Sequence, residues 1–398
     1  MKIAMLLDNA FTEMLPYPKR VYYEAKSLVK NGHDVTIFCK NEKNMNLPKL
    51  EIRDGIQVKR VFDYFLGTTM LIDKYLLSNI DLYNSINEKY DVYHCHDTNT
   101  WPIGYVLANR DGAKYICETH EYFPDYVCGE WYQDSFKYKL TKMLVNVRGN
   151  YIKYANKIIT VSDEMSDKLY KDFSLTEKPV VLYNTRPITY VRQVLQNNVK
   201  TVNIIRQKYH INDESKILLF QGLVEPTRGL DLAIKLLEYL DNVVLIIAGQ
   251  DRDNYARYLK DLAIKCGVEN KVKFTGFLSS DDLLIYSFYA DYVVYFGKNI
   301  VENMNITIPN KIFDYIMVGK PIICSNLKSL ARLIEKHDIG LVIDFETDEI
   351  YHIAYKIEKF INNKTLIKNI EANIRKIQEI YSWEKQEETL VRLYASIL

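Results

Sequence analysis

Three polar residues at the start of a predicted helix have the types and spacing that suit a ligand with phosphate and hydroxyl groups. Asn310, Lys311 and Asp314 follow Pro309, which is favourable near a helix start because the amide that proline lacks would have no partner there. The polar loop predicted to begin at Asn303 has free amides that can receive an anion. A cation, an anion-receptive helix start and a carboxylate one turn later therefore predict a binding site, with an ordinary surface helix start as the alternative.

Two glycine turns in the same half of the chain add to this hypothesis. Gly222 follows a predicted strand at 217–221, and its missing Cβ allows the close approach of another group. Arg228 is predicted to open the next helix, where it can bind a phosphate at two points. Gly249 closes the following strand at the same edge of the sheet. Neither turn has the spacing of a Walker phosphate loop, so an NTPase is disfavoured, and each could be only a turn if it stood alone.

Histidines near strand ends are the candidates in the first half of the chain. His120 follows a predicted strand at 115–118 and lies beside two carboxylates, where it could donate a hydrogen bond, act as a base or tie down a loop. His94 and His96 lie on one side of another strand and could hold a metal, but no third ligand is evident at a suitable spacing, so no metal is predicted. Arg20, near the start of the first helix, is predicted to be a solvated surface residue rather than part of a cleft.

These residues need a scaffold, and strand and helix patterns alternate along the whole chain. Such alternation predicts mainly parallel sheets covered on both faces, and ligands of these sheets bind beyond the carboxyl ends of the strands. A stretch without strong periodicity at 184–192, followed by a polar segment, divides the alternation into two halves. We therefore expect an α/β protein with two doubly wound, Rossmann-like domains that face each other across a cleft, and a boundary near residue 190.

Length and composition limit the classes of function. A chain of 398 residues with 48% hydrophobic residues is too long for one ordinary core. The formal net charge of +1 gives no support to nucleic-acid binding, and the GxGxxG motif of nicotinamide and flavin enzymes is absent. Six cysteines without a CxxC pair are typical of reduced thiols in a cytosolic protein, and four of them lie in apolar, strand-like runs.

Contact with a membrane is expected to be peripheral. No apolar run reaches the roughly 20 residues that a membrane span needs, and the short apolar run at the N-terminus is interpreted as a first strand rather than a secretion signal. A helix predicted over residues 131–154 interleaves basic and aromatic residues. It could rest on an anionic membrane surface, although an ordinary domain helix with a solvated face is favoured.

Several stretches taken together resemble the glycosyltransferase family 4 group of retaining sugar transferases with the GT-B fold. They are KRVYYEAKSLVKNGHDVTIF, DVYHCHDTNTWPIGYVLA and ETHEYFPD in the first half, and FQGLVEPTRGL and PNKIFDYIMVGKPIICS in the second. The resemblance extends over nearly the whole length. It implies that residues 1–190, completed by a C-terminal helix at 383–398, form an acceptor-side domain, and that residues 191–382 form the domain that binds a nucleotide sugar.

The resemblance also implies roles for individual residues. His120 matches the histidine that contacts the donor sugar and phosphate, Arg228 the basic residue that binds the diphosphate, and Asp314 the second of two motif glutamates, which holds the ribose hydroxyls. The chain departs from the family pattern because Ile306 replaces the first motif glutamate, Leu223 replaces an arginine, and Asp314 is shorter than glutamate. The residues predicted to bind the donor are Gly222, Arg228, Gly249, Asn305, Thr307, Asn310, Lys311 and Asp314.

The activity that the resemblance implies is transfer of a hexose or related sugar from a UDP- or GDP-linked donor to a hydroxyl acceptor, with retention at the anomeric carbon. The acceptor would be a glycan, a lipid-linked intermediate or a small molecule, in the assembly of a surface polysaccharide, glycolipid or glycoconjugate. Neither a cofactor nor a metal is expected. The protein would be cytoplasmic, with peripheral contact at the inner membrane face left open.

Other activities stay open at this point. A catalytically inactive scaffold that binds sugar nucleotides is the main alternative, because Ile306 removes a motif glutamate. In an active enzyme, Asn303 or Asn305 would have to bind the donor sugar in place of that glutamate. A GT-B epimerase or phosphorylase would share the fold, and nothing in the sequence indicates either.

Overall fold

The structure is a computed structural model, and it describes residues 1–12, 18–41, 47–62, 80–126, 136–198 and 202–397. The first part of the helix predicted over 131–154 therefore lies outside the described residues. The chain divides into two compact units. The first unit comprises Met1–Tyr183, Val301–Asn303 and Gln386–Leu398, and the second comprises Asn184–Ile300 and Met304–Lys385.

The first unit is built on an eight-stranded sheet. Its strands are β1 (Lys2–Leu6), β2 (Asp34–Asn41), β3 (Leu50–Arg53), β4 (Ile56–Phe62), β5 (Val92–His96), β6 (Lys114–Glu118), β7 (Lys157–Thr160) and β8 (Val180–Val181). They lie in the order β3-β4-β2-β1-β5-β6-β7-β8, and only β3 and β4 pair antiparallel among them. Asp54 and Gly55, both with positive φ, make the tight turn that joins these two strands. The other strands pair parallel, because longer connections separate them.

Helices of the first unit cover this sheet. They are α1 (Pro18–Lys30), α2 (Ile80–Asn84), α3 (Trp101–Asp111), α4 (Phe123–Tyr126), α5 (Phe136–Gly149) and α6 (Asp163–Asp172). Helix α1 buries Val21, Ala25 and Leu28, which recur at helical spacing. Helix α5 ends at Gly149 and continues as a 3-10 helix, so the long helix predicted to Tyr154 is broken there.

The second unit is built on a six-stranded sheet in which every pair is parallel. Its strands are β9 (Lys216–Gln221), β10 (Val243–Ala248), β11 (Val272–Gly276), β12 (Tyr292–Tyr295), β13 (Ile322–Ser325) and β14 (Gly340–Ile343). They lie in the order β11-β10-β9-β12-β13-β14. The two sheets confirm the predicted α/β class with two Rossmann-like domains.

The remaining helices belong mainly to the second unit. They are α7 (Ile188–Asn198), α8 (Val202–Lys208), α9 (Leu230–Leu236), α10 (Tyr255–Lys265), α11 (Ser280–Tyr289), α12 (Glu302–Ile306), α13 (Asn310–Val318), α14 (Lys328–His337), α15 (Ile350–Asn362), α16 (Lys364–Ile377) and α17 (Trp383–Ala395). Helix α17 belongs to the first unit from Gln386 onward. No helix among the described residues combines the length and the apolar character needed to cross a bilayer.

Two local predictions in the second half were wrong. The stretch predicted as a polar loop from Asn303 forms α12, and Ile306 at its end is buried with 2% exposure. An apolar side chain that can be buried lets this stretch close a helical turn. The helix predicted to open at Arg228 begins later, because Arg228 ends a short 3-10 helix and Gly229 follows with a φ of 66°. Glycine adopts this left-handed conformation without the cost that a Cβ would add.

Buried thiols agree with the sequence analysis. Cys39, Cys95, Cys117 and Cys324 are buried free thiols, and each lies in a strand of one of the two sheets. Burial raises the pKa of Cys39 to about 11, which keeps this thiol protonated and unreactive. These cysteines therefore serve as small apolar side chains of the two cores.

Candidate functional site

The carboxyl ends of β9 and β10 form the floor of the candidate site in the second unit. Gly222 follows β9 with a φ of 140°, and Gly249 follows β10. A Cβ on Gly249 would lie 1.6 Å from the carbonyl oxygen of Gly222, and a Cβ on Gly222 would lie 2.1 Å from Lys311 Nζ. The backbone contact requires glycine at position 249, and the φ of 140° favours glycine at position 222. The same contacts bring Lys311 against the turn after β9.

Arg228 is oriented by two polar partners beside this floor. Its Nη1 donates to the Tyr295 hydroxyl at 3.0 Å, and its Nη2 lies 2.8 Å from Glu225 Oε1. The amide of Lys298 donates to the carbonyl of Thr227 at 3.0 Å, which fixes the turn against the end of β12. The Arg228 side chain keeps 24% exposure. The guanidinium is thus held in place and still accessible to an anion.

Lys311, in the first turn of α13, places its ammonium group between two aromatic rings. Its Nζ lies 5.1 Å from the centroid of the Phe220 ring and 5.2 Å from that of the Tyr295 ring. Within the part of the chain that the structure describes, Lys311 forms no ion pair. Burial, followed by the nearby charge of Arg228, lowers the pKa of this ammonium to about 7, against smaller opposing effects of two carboxylates. The site therefore presents a half-buried amine whose charged form an anionic ligand would favour.

Asp314 has a partner that the sequence analysis missed. Arg186 Nε donates to Asp314 Oδ1 at 2.5 Å and Nη2 donates to Oδ2 at 3.2 Å, while Nη1 donates to Ser280 Oγ at 2.8 Å. Arg186 lies in the stretch between β8 and α7 that shows no periodicity, so no pattern marked it. Each carboxylate oxygen keeps a further lone pair for a ribose hydroxyl. Asp314 is therefore an oriented carboxylate with 9% exposure, and its donor-binding role stays a prediction.

The other predicted donor-binding residues lie around α12 and α13. Asn305 Oδ1 accepts a hydrogen bond from the Lys328 amide at 2.8 Å. Asn303 belongs to the first unit, where its Oδ1 accepts from a backbone amide at 2.6 Å. Of the two asparagines considered as substitutes for the missing glutamate, only Asn305 lies in the second unit. Thr307 is half-buried, and Asn310 is exposed at the start of α13.

A cavity of about 870 Å³ lies within the second unit beside these residues. Its polar lining residues include Lys298, Asn305, Asn326, Lys328 and Arg332. The cavity adjoins the turn that carries Arg228, because a Cβ on Gly229 would lie 1.9 Å from the carbonyl oxygen of Phe296, which also lines the cavity. Its place beyond the carboxyl ends of β12, β13 and β14 is typical of ligand sites in parallel sheets.

In the first unit, His120 is held between two carboxylates. Its Nε2 lies 2.7 Å from Glu118 Oε1, its Nδ1 lies 3.2 Å from Asp97 Oδ2, and its amide donates to Asp97 Oδ1 at 3.0 Å. Because a carboxylate only accepts hydrogen bonds, both ring nitrogens must carry protons. Burial alone would lower the pKa of His120, but Asp97 and Glu118 raise it to about 10. The geometry therefore favours a cationic hydrogen-bond donor over a base.

A fully buried cluster of charges lies behind His120. Arg20 Nε is 2.9 Å from Glu24 Oε1 and 2.5 Å from Glu118 Oε1. The prediction of a solvated Arg20 was wrong, because its side chain is 1% exposed and also donates to the carbonyl of Leu182 at 2.7 Å. Burial raises the pKa of Glu24 well above its usual range. Burial also acts to raise the pKa of Glu118, but Arg20 and neighbouring histidines outweigh it and lower that pKa.

The same cluster is the arrangement that comes nearest to a metal site. Atoms suited to metal binding lie within 4.8 Å of one another on Glu24, His94, His96 and Glu118. The two carboxylates come from α1 and β6, which is why sequence spacing around the histidines did not reveal them. Cations of the protein already pair with both carboxylates: Arg20 Nε lies 2.9 Å from Glu24 Oε1 and 2.5 Å from Glu118 Oε1, and His120 Nε2 lies 2.7 Å from Glu118 Oε1. A divalent ion would add uncompensated charge to a buried cluster, so the charge balance disfavours a metal.

His94 extends this hydrogen-bonded network to helix α17. Its Nε2 lies 3.0 Å from Glu118 Oε2, and its Nδ1 lies 2.9 Å from the Tyr394 hydroxyl. Because Glu118 can only accept, His94 Nε2 carries a proton, and a neutral ring then accepts from Tyr394 at Nδ1. Burial raises the pKa of Tyr394, which keeps its hydroxyl protonated. The C-terminal helix thereby helps to fix the carboxylate that holds His120.

Two family models match the chain, one in each half. The model described as Glycosyltransferase Family 4 matches residues 19–187, and the model described as Glycosyl transferases group 1 matches residues 201–377. His120 lies within the first matched range. Gly222, Arg228, Lys311 and Asp314 lie within the second.

Known proteins resemble the chain over its whole length. MJ1607, an uncharacterized glycosyltransferase of Methanocaldococcus jannaschii, is 26% identical over 381 residues, which are 93% of this chain and 91% of that protein. Sucrose-phosphate synthase from Thermosynechococcus elongatus has a TM-score of 0.75 at 16% identity, covering 100% of this chain and 98% of its own. Anabaena Alr3699/HepE, solved with UDP and glucose, has a TM-score of 0.73 at 16% identity, covering 100% of both chains. At these identities the solved structures show a common fold.

Proposed function

Because the chain belongs to the group 1, family 4 glycosyltransferases and has the GT-B fold, we propose that it transfers a sugar from a UDP- or GDP-linked donor to a hydroxyl acceptor, with retention at the anomeric carbon. The observation that supports this best is the group of Arg228, Lys311 and Asp314 at one edge of the second sheet. The charges of Arg228 and Asp314 both act on the Lys311 ammonium. Two cations and a carboxylate suit the diphosphate and the ribose of such a donor.

The chemical demand of the reaction is a leaving diphosphate that gains negative charge as the glycosidic bond breaks. Arg228 and Lys311 would stabilise this charge from fixed positions, which is usually the largest contribution to catalysis. The described residues present no obvious protein nucleophile at this edge. We therefore propose attack by the acceptor hydroxyl on the face that the diphosphate leaves, with its proton passing to the departing phosphate.

His120 would contribute its positive charge to the same step. Both of its ring protons are directed at carboxylates, at 2.7 Å and 3.2 Å. The longer of these contacts, to Asp97, is the one that a donor phosphate or sugar hydroxyl can replace at lower cost. In this proposal His120 orients the sugar and stabilises the departing phosphate. A metal is not needed, since fixed cations supply the charge.

The sugar and the acceptor have less specific support. The cavity beside Asn305 offers hydroxyl-binding groups next to the turn that carries Arg228. We propose that this cavity binds the donor sugar. In the family, the resemblance implies that the first motif glutamate makes this contact. The acceptor would be a glycan, a lipid-linked intermediate or a small molecule in polysaccharide, glycolipid or glycoconjugate assembly. The cytoplasmic location stays a prediction.

A panel of UDP-, GDP- and ADP-sugars tests this proposal. We expect one donor to bind and to release its nucleoside diphosphate slowly even without acceptor, at the same rate with and without a chelator. Nuclear magnetic resonance of the product would show retention. Binding without release would favour the inactive scaffold, for which the buried Ile306 is the specific observation. Neither binding nor release with any donor would contradict the transferase proposal.

Arg228→Met should weaken donor binding about 10- to 100-fold, because a charge-assisted phosphate contact contributes roughly 1.5–3 kcal/mol. Isothermal titration would measure this change in affinity. Arg252→Met is the matched control, since Arg252 Nη1 also bonds to Glu225, at 3.0 Å, but is 62% exposed. The control variant should bind the donor within about twofold of the wild type. An equal decrease in both variants would show that Glu225, rather than the Arg228 guanidinium, decides affinity.

We also propose that α5 contacts an anionic membrane surface. Met143 and Val147, one helical turn apart, are 54% and 56% exposed, and Lys139 on the same helix is exposed. Exposed apolar residues beside a lysine are typical of interfacial helices. The double variant Met143→Ser, Val147→Ser should reduce cosedimentation with anionic vesicles about tenfold. The control Ile264→Ser, at an exposed apolar position of the second unit, should leave this cosedimentation unchanged. If the wild-type protein does not sediment with anionic vesicles, the proposal is contradicted.

A further inference from the structure

We propose that binding of the nucleotide-sugar donor brings a proton onto Lys311, which then acts as the second phosphate-binding cation and makes donor affinity depend on pH. This inference rests on the proposed function, since it takes a diphosphate as the ligand. It concerns a departure from the family pattern, Leu223, which stands where many relatives are expected to have an arginine.

The position of Lys311 compensates for this departure. Leu223 cannot offer charge, but Lys311 Nζ approaches the same turn from α13 and lies 2.1 Å from where a Cβ of Gly222 would be. The ammonium therefore takes up the space that glycine leaves open at the residue before Leu223. Arg228, which follows Leu223 in the sequence, brings the other cation to the same turn. The two together restore the pair of positive charges that a diphosphate requires.

Charged and titratable groups around Lys311 are already engaged with other residues. Glu225, before the 3-10 helix, bonds to Arg228 and Arg252. Asp314, on the same helix as Lys311, bonds to Arg186 through both carboxylate oxygens. The hydroxyls on β12 and α13 belong to Tyr295 and Tyr315; the first accepts from Arg228 and the second from the Gln221 amide.

An ammonium in this place favours losing its proton while the site is empty. Lys311 is half-buried, and the guanidinium of Arg228, which bonds to the same Tyr295, repels its charge. The faces of the Phe220 and Tyr295 rings favour the charge and offset this effect only in part. A Lys311 pKa of about 7 agrees with this arrangement. A diphosphate beside Nζ would reverse the balance, because its charge would favour the protonated form. At any pH at which Lys311 is neutral in the donor-free protein, donor binding must therefore take up a proton.

The expected size of the effect follows from this titration. With a free-state pKa of about 7, the donor should take up roughly 0.9 proton at pH 8 and roughly 0.1 at pH 6. Donor affinity should be constant below pH 7 and should fall about tenfold for each pH unit above it. An intact nucleotide sugar is the probe, since its diphosphate diester has no proton that titrates in this range. His120 does not interfere, because its pKa of about 10 keeps it charged.

Calorimetric titration of UDP- and GDP-sugars in buffers of different ionisation enthalpy measures the proton uptake directly. The wild type should show the pH 8 uptake, and Lys311→Arg should bind without it, because arginine stays charged. Lys311→Met provides a second variant if arginine does not fit over Gly222; it should bind weakly and with the same affinity at pH 6 and 8. Lys320→Met is the control: burial also lowers the pKa of Lys320, but Lys320 precedes β13 at the opposite edge of the sheet.

The outcomes separate this inference from the proposed function. Donor binding with less than about 0.2 proton taken up at pH 8 would overturn the inference and leave the transferase proposal intact. Uptake that persists in Lys311→Met would also overturn it. Absence of donor binding at both pH values would instead contradict the proposed function. Uptake that disappears in the Lys311 variants and persists in Lys320→Met would support the role of Lys311.

Discussion

Replacement of His120 by glutamine is expected to lower turnover about 100- to 1000-fold, the usual cost of removing one preorganised donor that stabilises developing negative charge. Donor affinity should change much less, because the diphosphate cations of the second unit remain. Steady-state rates of nucleoside diphosphate release, combined with titration of the donor, would measure both quantities. Since the pKa of His120 is about 10, its charge should not produce a change in turnover between pH 6 and 9.

His352→Gln is the control for this result, since His352 is an exposed histidine on α15. It should keep wild-type turnover and affinity. The stability contribution of His120 has a defined sign: its raised pKa stabilises the folded protein fully below the unfolded value near 6.5. That contribution is lost as the pH rises toward 10. A His120→Gln variant with wild-type turnover would show that this residue only ties down its loop.

Glu118→Gln is expected to reduce the free energy of unfolding by about 3–5 kcal/mol, since breaking a buried ion pair leaves uncompensated charge. Glu118 is fully buried and faces the guanidinium of Arg20 and the imidazolium of His120. Arg20, with 1% exposure, is too deeply buried for water to replace the carboxylate. Urea unfolding followed by circular dichroism would measure the decrease in stability. An unchanged midpoint would mean that Glu24 takes over the charge.

Glu88→Gln offers a matched control for this variant. Glu88 also contacts two cations, Lys2 at 2.5 Å and Lys59 at 2.8 Å, but its side chain is 51% exposed. Water can replace it, so the decrease in stability should stay below about 1 kcal/mol. The pH dependence provides a further check. Because the pKa of Glu118 is lowered, its stabilisation is present above the unfolded value near 4.3 and is lost as the pH falls through the folded value.

Local patterns in the sequence predicted most of the scaffold. The alternation of apolar runs and helical periodicity predicted the strands that precede Gly222, Gly249 and His120. Such patterns are informative because a buried strand needs an apolar run and an amphipathic helix needs an apolar face. Edge strand β3 and strand β14 were not predicted. Both contain partly exposed residues, so their patterns are weaker.

The tertiary structure decided the charge states and the bonding partners of the polar residues. Arg20 and Glu118 are 98 residues apart in the chain, and Arg186 and Asp314 are 128 apart. No spacing rule relates residues at such separations. The charge on His120 likewise depends on two carboxylates that meet it through neighbouring strand ends. The lowered pKa of Lys311 likewise depends on its burial in the fold and on the nearby guanidinium of Arg228.

The sequence by itself therefore determined the two-sheet architecture and predicted the sheet edge at which we propose that the donor binds, since both follow from short-range periodicity and from glycine and proline positions. Only the tertiary structure decided which carboxylates already pair with cations and which amine lies beside a second cation. The physical reason is that burial and charge pairing depend on atoms within a few ångströms, whatever their separation along the chain. The ammonium of Lys311 shows this most clearly: its basic character was evident in the sequence, and its place beside Arg228 became evident only in the fold.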